Sequence, residues 1–225
     1  MKTENLSTLK INKLTQAQYN RELDAGRIDE NALYLTPATD SVIDILGYMP
    51  SHINISKADE EDNYSSSYAS FAPFNSSKTV NVTTQKGNIT CKTISEVLPD
   101  RNTEVELYAI EIGDDIHTVR VSANICYYTS DSTGCNLHTY LQHKYTDVVN
   151  GNSQSFDVNE ARTSCYIHSD GYVTHCIDTI VDVSNGDILY VYARKGVTSR
   201  NIDVHGESNT SNWYKCTQMS VQAIG

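Results

Sequence analysis

From Thr118 to Tyr128 the chain alternates without interruption: Val119, Val121, Ala123, Ile125 and Tyr127 share one parity, and Arg120, Ser122, Asn124, Cys126 and Tyr128 the other. Successive side chains of a strand point to opposite faces, so this stretch predicts a half-buried antiparallel strand with an apolar face for a core. The same period appears in Val80 and Val82, and in Val105, Leu107 and Ala109 set between Glu104, Glu106 and Tyr108. Further strands are expected near 137–145, 163–168, 172–183, 187–194 and 214–224. The turn signals Asn150-Gly151-Asn152, Asp170-Gly171 and Asn185-Gly186 fall between them. Strands at this spacing, with no helical period between them, predict a mainly β chain. Its C-terminal part, residues 79–225, reads as an antiparallel jelly-roll β-sandwich.

Composition agrees. Tyr (15) far outnumbers Phe (3), and Pro (4) and Gly (11) are sparse, a balance that suits half-buried sheets with hydroxyl-rich surfaces. The chain carries 17 basic and 28 acidic residues, a net charge of -11, and its Lys and Arg do not cluster. That excludes a free-standing nucleic-acid binder, which presents a basic face. No run of apolar residues is long enough for a membrane span. The first residues, Met1 to Ser7, lack an apolar stretch, so no signal peptide is expected. A chain kept in the cytoplasm keeps its thiols reduced. The six cysteines show no C-x-x-C spacing and read as mostly free thiols.

Residues 1–38 form a motif of their own. Thr15 and Gln18 have the spacing of a helix capping box, and Leu14 and Tyr19 that of a hydrophobic staple. Tyr19 and Leu23 share a helix face, Gly26 supplies a left-handed stop, and Leu33-Tyr34-Leu35 forms a short strand ended by Pro37. The unit is a small α/β segment, strand–helix–strand, too short to be stable alone. It resembles a segment near the start of tail-fibre, baseplate and other minor structural proteins of phages and prophages of Gram-positive bacteria. Lys13, Leu14, Thr15, Ala17, Tyr19, Gly26, Ile28, Leu33, Tyr34, Leu35 and Thr36 carry the resemblance. It implies a virion-associated docking segment that joins other tail or baseplate proteins. Residues 39–78, with the acidic run Glu60-Glu61-Asp62 followed by serines, read as a connector.

Two strings in the C-terminal part carry a second resemblance. Thr118 to Ile125 and Asn185-Gly186-Asp187 to Ala193 are similar to strands of tumour-necrosis-factor-like and complement-type globular heads. The resemblance implies a homotrimer. The string 187–194 supports a subunit interface on its own terms, being apolar on both faces. Ile188, Tyr190 and Tyr192 lie on one side and Leu189, Val191 and Ala193 on the other. One face serves the sandwich, and the three residues of the other are the candidate trimer interface.

The search for chemistry returns little. Cys165, His168, His175 and Cys176 are the densest set of soft ligands. A two-residue turn at Asp170-Gly171 would set Cys165 opposite Cys176, close enough for a disulfide if oxidised, with both histidines on the other face. Ligands split over two faces cannot close on one metal, so no metal or cofactor is expected. No nucleophile elbow, Gly-rich phosphate loop or paired catalytic carboxylates stand out; Asp114-Asp115 and Glu60-Glu61-Asp62 read as solvated loop charges. The chain is therefore expected to bind rather than catalyse. Trp213 and Tyr214, at the end of a long polar loop from Gly196, are the candidate receptor-binding residues, since aromatic rings beside polar side chains suit a sugar. The expectation is a tail protein located in the virion, made in the host cytoplasm, whose head binds a host-surface receptor, a polysaccharide foremost. The alternatives are a non-viral carbohydrate-binding or cytokine-like module and, behind it, a polysaccharide-cleaving enzyme.

Overall fold

The computed structural model describes residues 10–13, 21–23, 25–28, 32–35, 51–58, 62–64, 68–206 and 217–224. They fall into two compact units, Met1–Met49 and Pro50–Gly225. In the smaller unit β1 (Lys10–Lys13) pairs in parallel with β2 (Ala32–Leu35). Parallel neighbours need a crossover, and helical Arg21–Leu23 lies within it. Gly26 adopts the left-handed conformation, φ +65°, that a helix stop requires. Arg27 closes a two-pronged bond on Glu22, at 2.7 and 2.9 Å. Leu14, Thr15, Gln18 and Tyr19, expected to cap and staple the helix, lie outside the described residues.

The larger unit is built from β3 (His52–Lys57), β4 (Asp62–Tyr64), β5 (Ser70–Phe71), β6 (Val80–Lys86), β7 (Ile89–Glu96), β8 (Val105–Ile112), β9 (Thr118–Thr129), β10 (Cys135–Val149), β11 (Asn152–Ile167), β12 (Gly171–Asp182), β13 (Ile188–Lys195), β14 (Ile202–His205) and β15 (Gln218–Ala223). One sheet has the order β11-β10-β13-β8-β7, with β5 also on β13. The other has the order β4-β14-β9-β15-β3-β6, with β12 also on β9. Every pairing in both is antiparallel. Between β4 and β14 the chain changes sheet at every connection except β7–β8 and β10–β11. The fold is thus an antiparallel jelly-roll β-sandwich.

The long alternating run is β9, and it is the pivot of its sheet. It pairs with β12 along its whole length on one edge and with β15 and β14 on the other. Val119, Val121, Ala123, Ile125 and Tyr127 are buried against Leu137 and Leu141 of β10, Leu189, Val191 and Ala193 of β13, and Ile110 and Ile112 of β8 in one apolar cluster. Asn150 and Gly151, both at positive φ (52° and 79°), make the tight turn between β10 and β11 that the sequence signals.

The turn at Asp170-Gly171 is different. It joins β11 in one sheet to β12 in the other, so it is no hairpin and the expected Cys165–Cys176 opposition does not form. A dipeptide that favours a turn fixes the local bend but not the sheet the next strand joins. The expected connector is also corrected. His52–Lys57 is a strand between β15 and β6, and Ile53, Ile55, Phe71 and Phe74 are core residues. Apolar side chains every second residue, at Ile53 and Ile55, override the polar average of the stretch. The head therefore begins in the low fifties, not at 79. The long loop expected from Gly196 likewise contains β14, all four of whose residues are buried.

The new boundary is directly testable. Residues 50–225 should unfold in one cooperative transition, whereas 79–225 should show no cooperative melt. The shorter piece lacks four large core side chains, each worth about 1.5–3 kcal/mol of burial, a loss comparable with the total stability of a domain, about 5–15 kcal/mol. A sharp melt for 79–225 by circular dichroism would restore the connector.

Candidate functional site

Trp213 and Tyr214 lie outside the described residues. Ile188, Tyr190 and Tyr192 do share the outward face of β13, as the alternation requires. That face is not bare. Tyr190 and Tyr192 are each 5% exposed and belong to a second apolar cluster with Ala72, Leu98, Val105, Leu107 and Ala109. Tyr140 of β10 stacks on Tyr192, ring centroids 4.7 Å apart. The cover that the sequence left to a neighbouring subunit is supplied, for these two tyrosines, by the chain itself. Val105, Leu107 and Ala109, the apolar parity of β8 in the sequence, face this outer cluster, while Ile110 and Ile112 face the main core.

Two clusters of titratable side chains lie inside the sandwich. The first runs from sheet to sheet. Tyr127 Oη of β9 is 2.7 Å from Thr139 Oγ1 of β10, which is 2.8 Å from His175 Nδ1 of β12. His175 Nε2 is in turn 3.0 Å from Cys165 Sγ of β11. The edge of the His175 ring also meets Tyr127, centroids 5.2 Å apart. Sequence reasoning placed Cys165 and His175 on opposite faces of one hairpin; because β11 and β12 belong to different sheets, both point inward and meet. Cys176, next along, is exposed. A cysteine–histidine contact invites comparison with a thiol nucleophile, but the electrostatics oppose it. Burial holds the His175 pKa down to about 4 and pushes the Cys165 thiol up. The pair is therefore a neutral thiol on a neutral imidazole, and not the thiolate beside an imidazolium that attack requires.

The second cluster depends on an irregularity. Between β10 and β11 the register slips: Leu141 pairs with Ala161 and Gln142 with Asn159, leaving Glu160 without a partner. A bulge of this kind re-aims one side chain. Glu160 Oε1 thereby reaches His143 Nδ1 at 2.9 Å, and His143 Nε2 lies 2.9 Å from Asp187 Oδ2. Asp187 Oδ2 also accepts the Ser184 amide at 2.8 Å. Beside them opens a cavity of about 460 Å³, bordered further by Tyr145, Asp147 and Asp182. His143 is thus tied through each ring nitrogen to a carboxylate oxygen. Its effect is to fix two carboxylates at the mouth of a polar, acidic hollow. Asp187 is announced by its Asn-Gly-Asp turn; nothing in the sequence reveals that Glu160 turns inward. Among the described residues no group of three or more His, Cys, Asp and Glu is placed to hold a metal ion.

Fold and site together describe a mainly β jelly-roll head with tied polar clusters. No family model matches the sequence, and no curated protein matches it. Solved structures similar to this chain include that of Eiger TNF from S. frugiperda, at 8% identity and a TM-score of 0.46, covering 79% of this chain and 94% of that one. Murine APRIL at pH 5.0 is similar at 8% identity and a TM-score of 0.42, over 78% of this chain and 99% of that one. Its pH 8.0 structure gives 9% identity and a TM-score of 0.42, over 77% and 98%.

The state of His175 has a consequence for stability. Below its usual value of 6.5 the unfolded chain takes up a proton that the folded chain, with His175 held near 4, refuses. Stability contributed by the neutral ring should therefore fall as pH drops from 6.5 towards 4, by on the order of 3 kcal/mol. His175→Asn should lower stability at pH 7 and flatten this part of the profile. Equal slopes for the two proteins in urea titrations at pH 6.5 and 4.5 would contradict the assignment.

Proposed function

We propose that the chain is a non-enzymatic structural protein of a phage or prophage tail, carried in the virion. Its small N-terminal unit docks to other tail or baseplate proteins, and its jelly-roll head binds a polysaccharide receptor on the host surface. The observation that carries the reading is the partition into two compact units of very unequal size, Met1–Met49 and Pro50–Gly225. The smaller unit holds the segment whose residues resemble phage tail proteins. An anchor and a head is the division of labour that attachment needs. We further infer a homotrimer. Tyr172 and Ile180, 50% and 63% exposed, stand on the outward face of β12, and self-association would cover them. Three heads on one axis would also multiply a weak sugar contact into firm attachment.

The test uses particles produced with the full chain or with residues 50–225. The truncated head should fold, bind the purified surface polysaccharide of a sensitive strain as the full chain does, and be absent from the particle. Incorporation of the truncated head would overturn docking, and loss of sugar binding by both forms would overturn the receptor. Light scattering should give a mass near three times the 25.1 kDa of one chain; a single-chain mass would remove the trimer.

A further inference from the structure

The outward face of the sheet at its β11 edge carries a group of side chains that none of the preceding roles uses. Pairing across β11, β10 and β13 sets out rows. Tyr166 lies opposite Asn136; Ser164, His138 and Arg194 make the next row; Arg162, Tyr140 and Tyr192 the one after. These rows contain no carboxylate, although the chain has 28 acidic residues against 17 basic. Arg194 is matched by Asp100, at 2.7 Å. Arg162 is not matched in this way: its Nη2 donates to His138 Nδ1 at 2.9 Å, and its guanidinium lies 5.5 Å from the centre of the Tyr140 ring.

That bond has a definite polarity. A guanidinium only donates, so His138 Nδ1 accepts and the ring proton sits on Nε2. Burial first, and then the charges of Arg162 and Arg194, hold the His138 pKa below its usual value. The patch therefore presents two donor-only groups, the remaining guanidinium N–H groups of Arg162 and the imidazole Nε2–H, beside the Ser164 hydroxyl and the Asn136 amide, which can donate as well as accept. Along β11, Arg162, Ser164 and Tyr166 share one face, and Tyr166 is 49% exposed. Four residues of strand separate its ring from Arg162 by about 13 Å, the span of two or three sugar rings.

We propose that this face binds a negatively charged oligosaccharide, its anionic group held by Arg162 and His138 and a sugar ring resting on Tyr166. The inference rests on the receptor-binding reading and names its ligand class. An anion here satisfies donors that no acidic side chain of the rows meets, and a flat exposed tyrosine ring suits the apolar face of a sugar. The overall charge of -11 disfavours anions over the molecule as a whole, so the guanidinium of Arg162, which no carboxylate of these rows matches, is a place where one is drawn in.

Calorimetry on the full chain should find binding of an oligouronate or of a phosphorylated oligosaccharide, which together separate carboxylate from phosphate as the anion, and weaker binding of a neutral oligosaccharide of equal length. Arg162→Gln should weaken the anionic ligand by about tenfold or more, and Tyr166→Ala should weaken it as well. Arg120→Gln, on the other sheet and paired with Asp178, should leave it unchanged. The His138 ring signals should titrate at higher pH with ligand bound, because the anion offsets the two guanidinium charges. Equal affinity for neutral and anionic sugars, no binding of either anion, or an unaffected Arg162→Gln variant with a normal melt would overturn the site. A chain that binds a neutral glycan retains its receptor role without this site. One that binds anionic sugars through Arg162 yet is missing from particles retains the site without the tail role.

Discussion

The strand β9 is the constraint on which the sandwich rests. It is the one strand that pairs with β12, β14 and β15, and its apolar parity is buried to the last residue from Val119 to Tyr127. A slip of one residue would send five buried side chains to the outside. The register of β9 is therefore fixed by the core, and three other strands inherit theirs from it. β3 follows in turn through β15, and β6 through β3. Local choice thus propagates across most of a sheet.

How much of this the sequence discloses depends on the kind of signal. Alternation discloses β9, β8 and the two faces of β13, and Asn150-Gly151 discloses a hairpin, because each is a local pattern with a local cause. What alternation leaves open is which face meets which partner. Val105, Leu107 and Ala109 look like a core parity and are one, yet they line the outer cluster under Tyr190 and Tyr192. Asp170-Gly171 and Asn185-Gly186 are turn signals of the same type as Asn150-Gly151, but they connect strands of different sheets. Sheet membership is decided by contacts far apart in the chain. The inward turn of Glu160 is a single-residue excess in one strand over its neighbour, visible only when two distant registers are laid side by side.

The second apolar cluster changes how the sheet containing β13 is understood. Its outer surface is divided: near β8 and β13 it is sealed by Leu98, Ala72 and the tyrosine pair, while towards β11 it is open, polar and cationic. The sealed part stiffens the sheet from behind, so Tyr140, stacked flat on buried Tyr192, holds its ring in one orientation. Arg162 and His138 occupy the neighbouring positions, so for the anionic sugar proposed above the loss of side-chain freedom would be small.

Apolar packing between two sheets is non-directional, and surfaces held by it alone can glide past one another. The chain of Tyr127, Thr139, His175 and Cys165 belongs by turns to one sheet and the other. Each link has a preferred length and angle, so sideways travel by even part of a residue spacing breaks three bonds at once in a place that water does not easily reach. The sandwich is pinned against shear as well as glued. Resistance to sliding of one sheet over the other is a separate property from resistance to heat or urea, and this row of four side chains contributes to it by joining the two sheets.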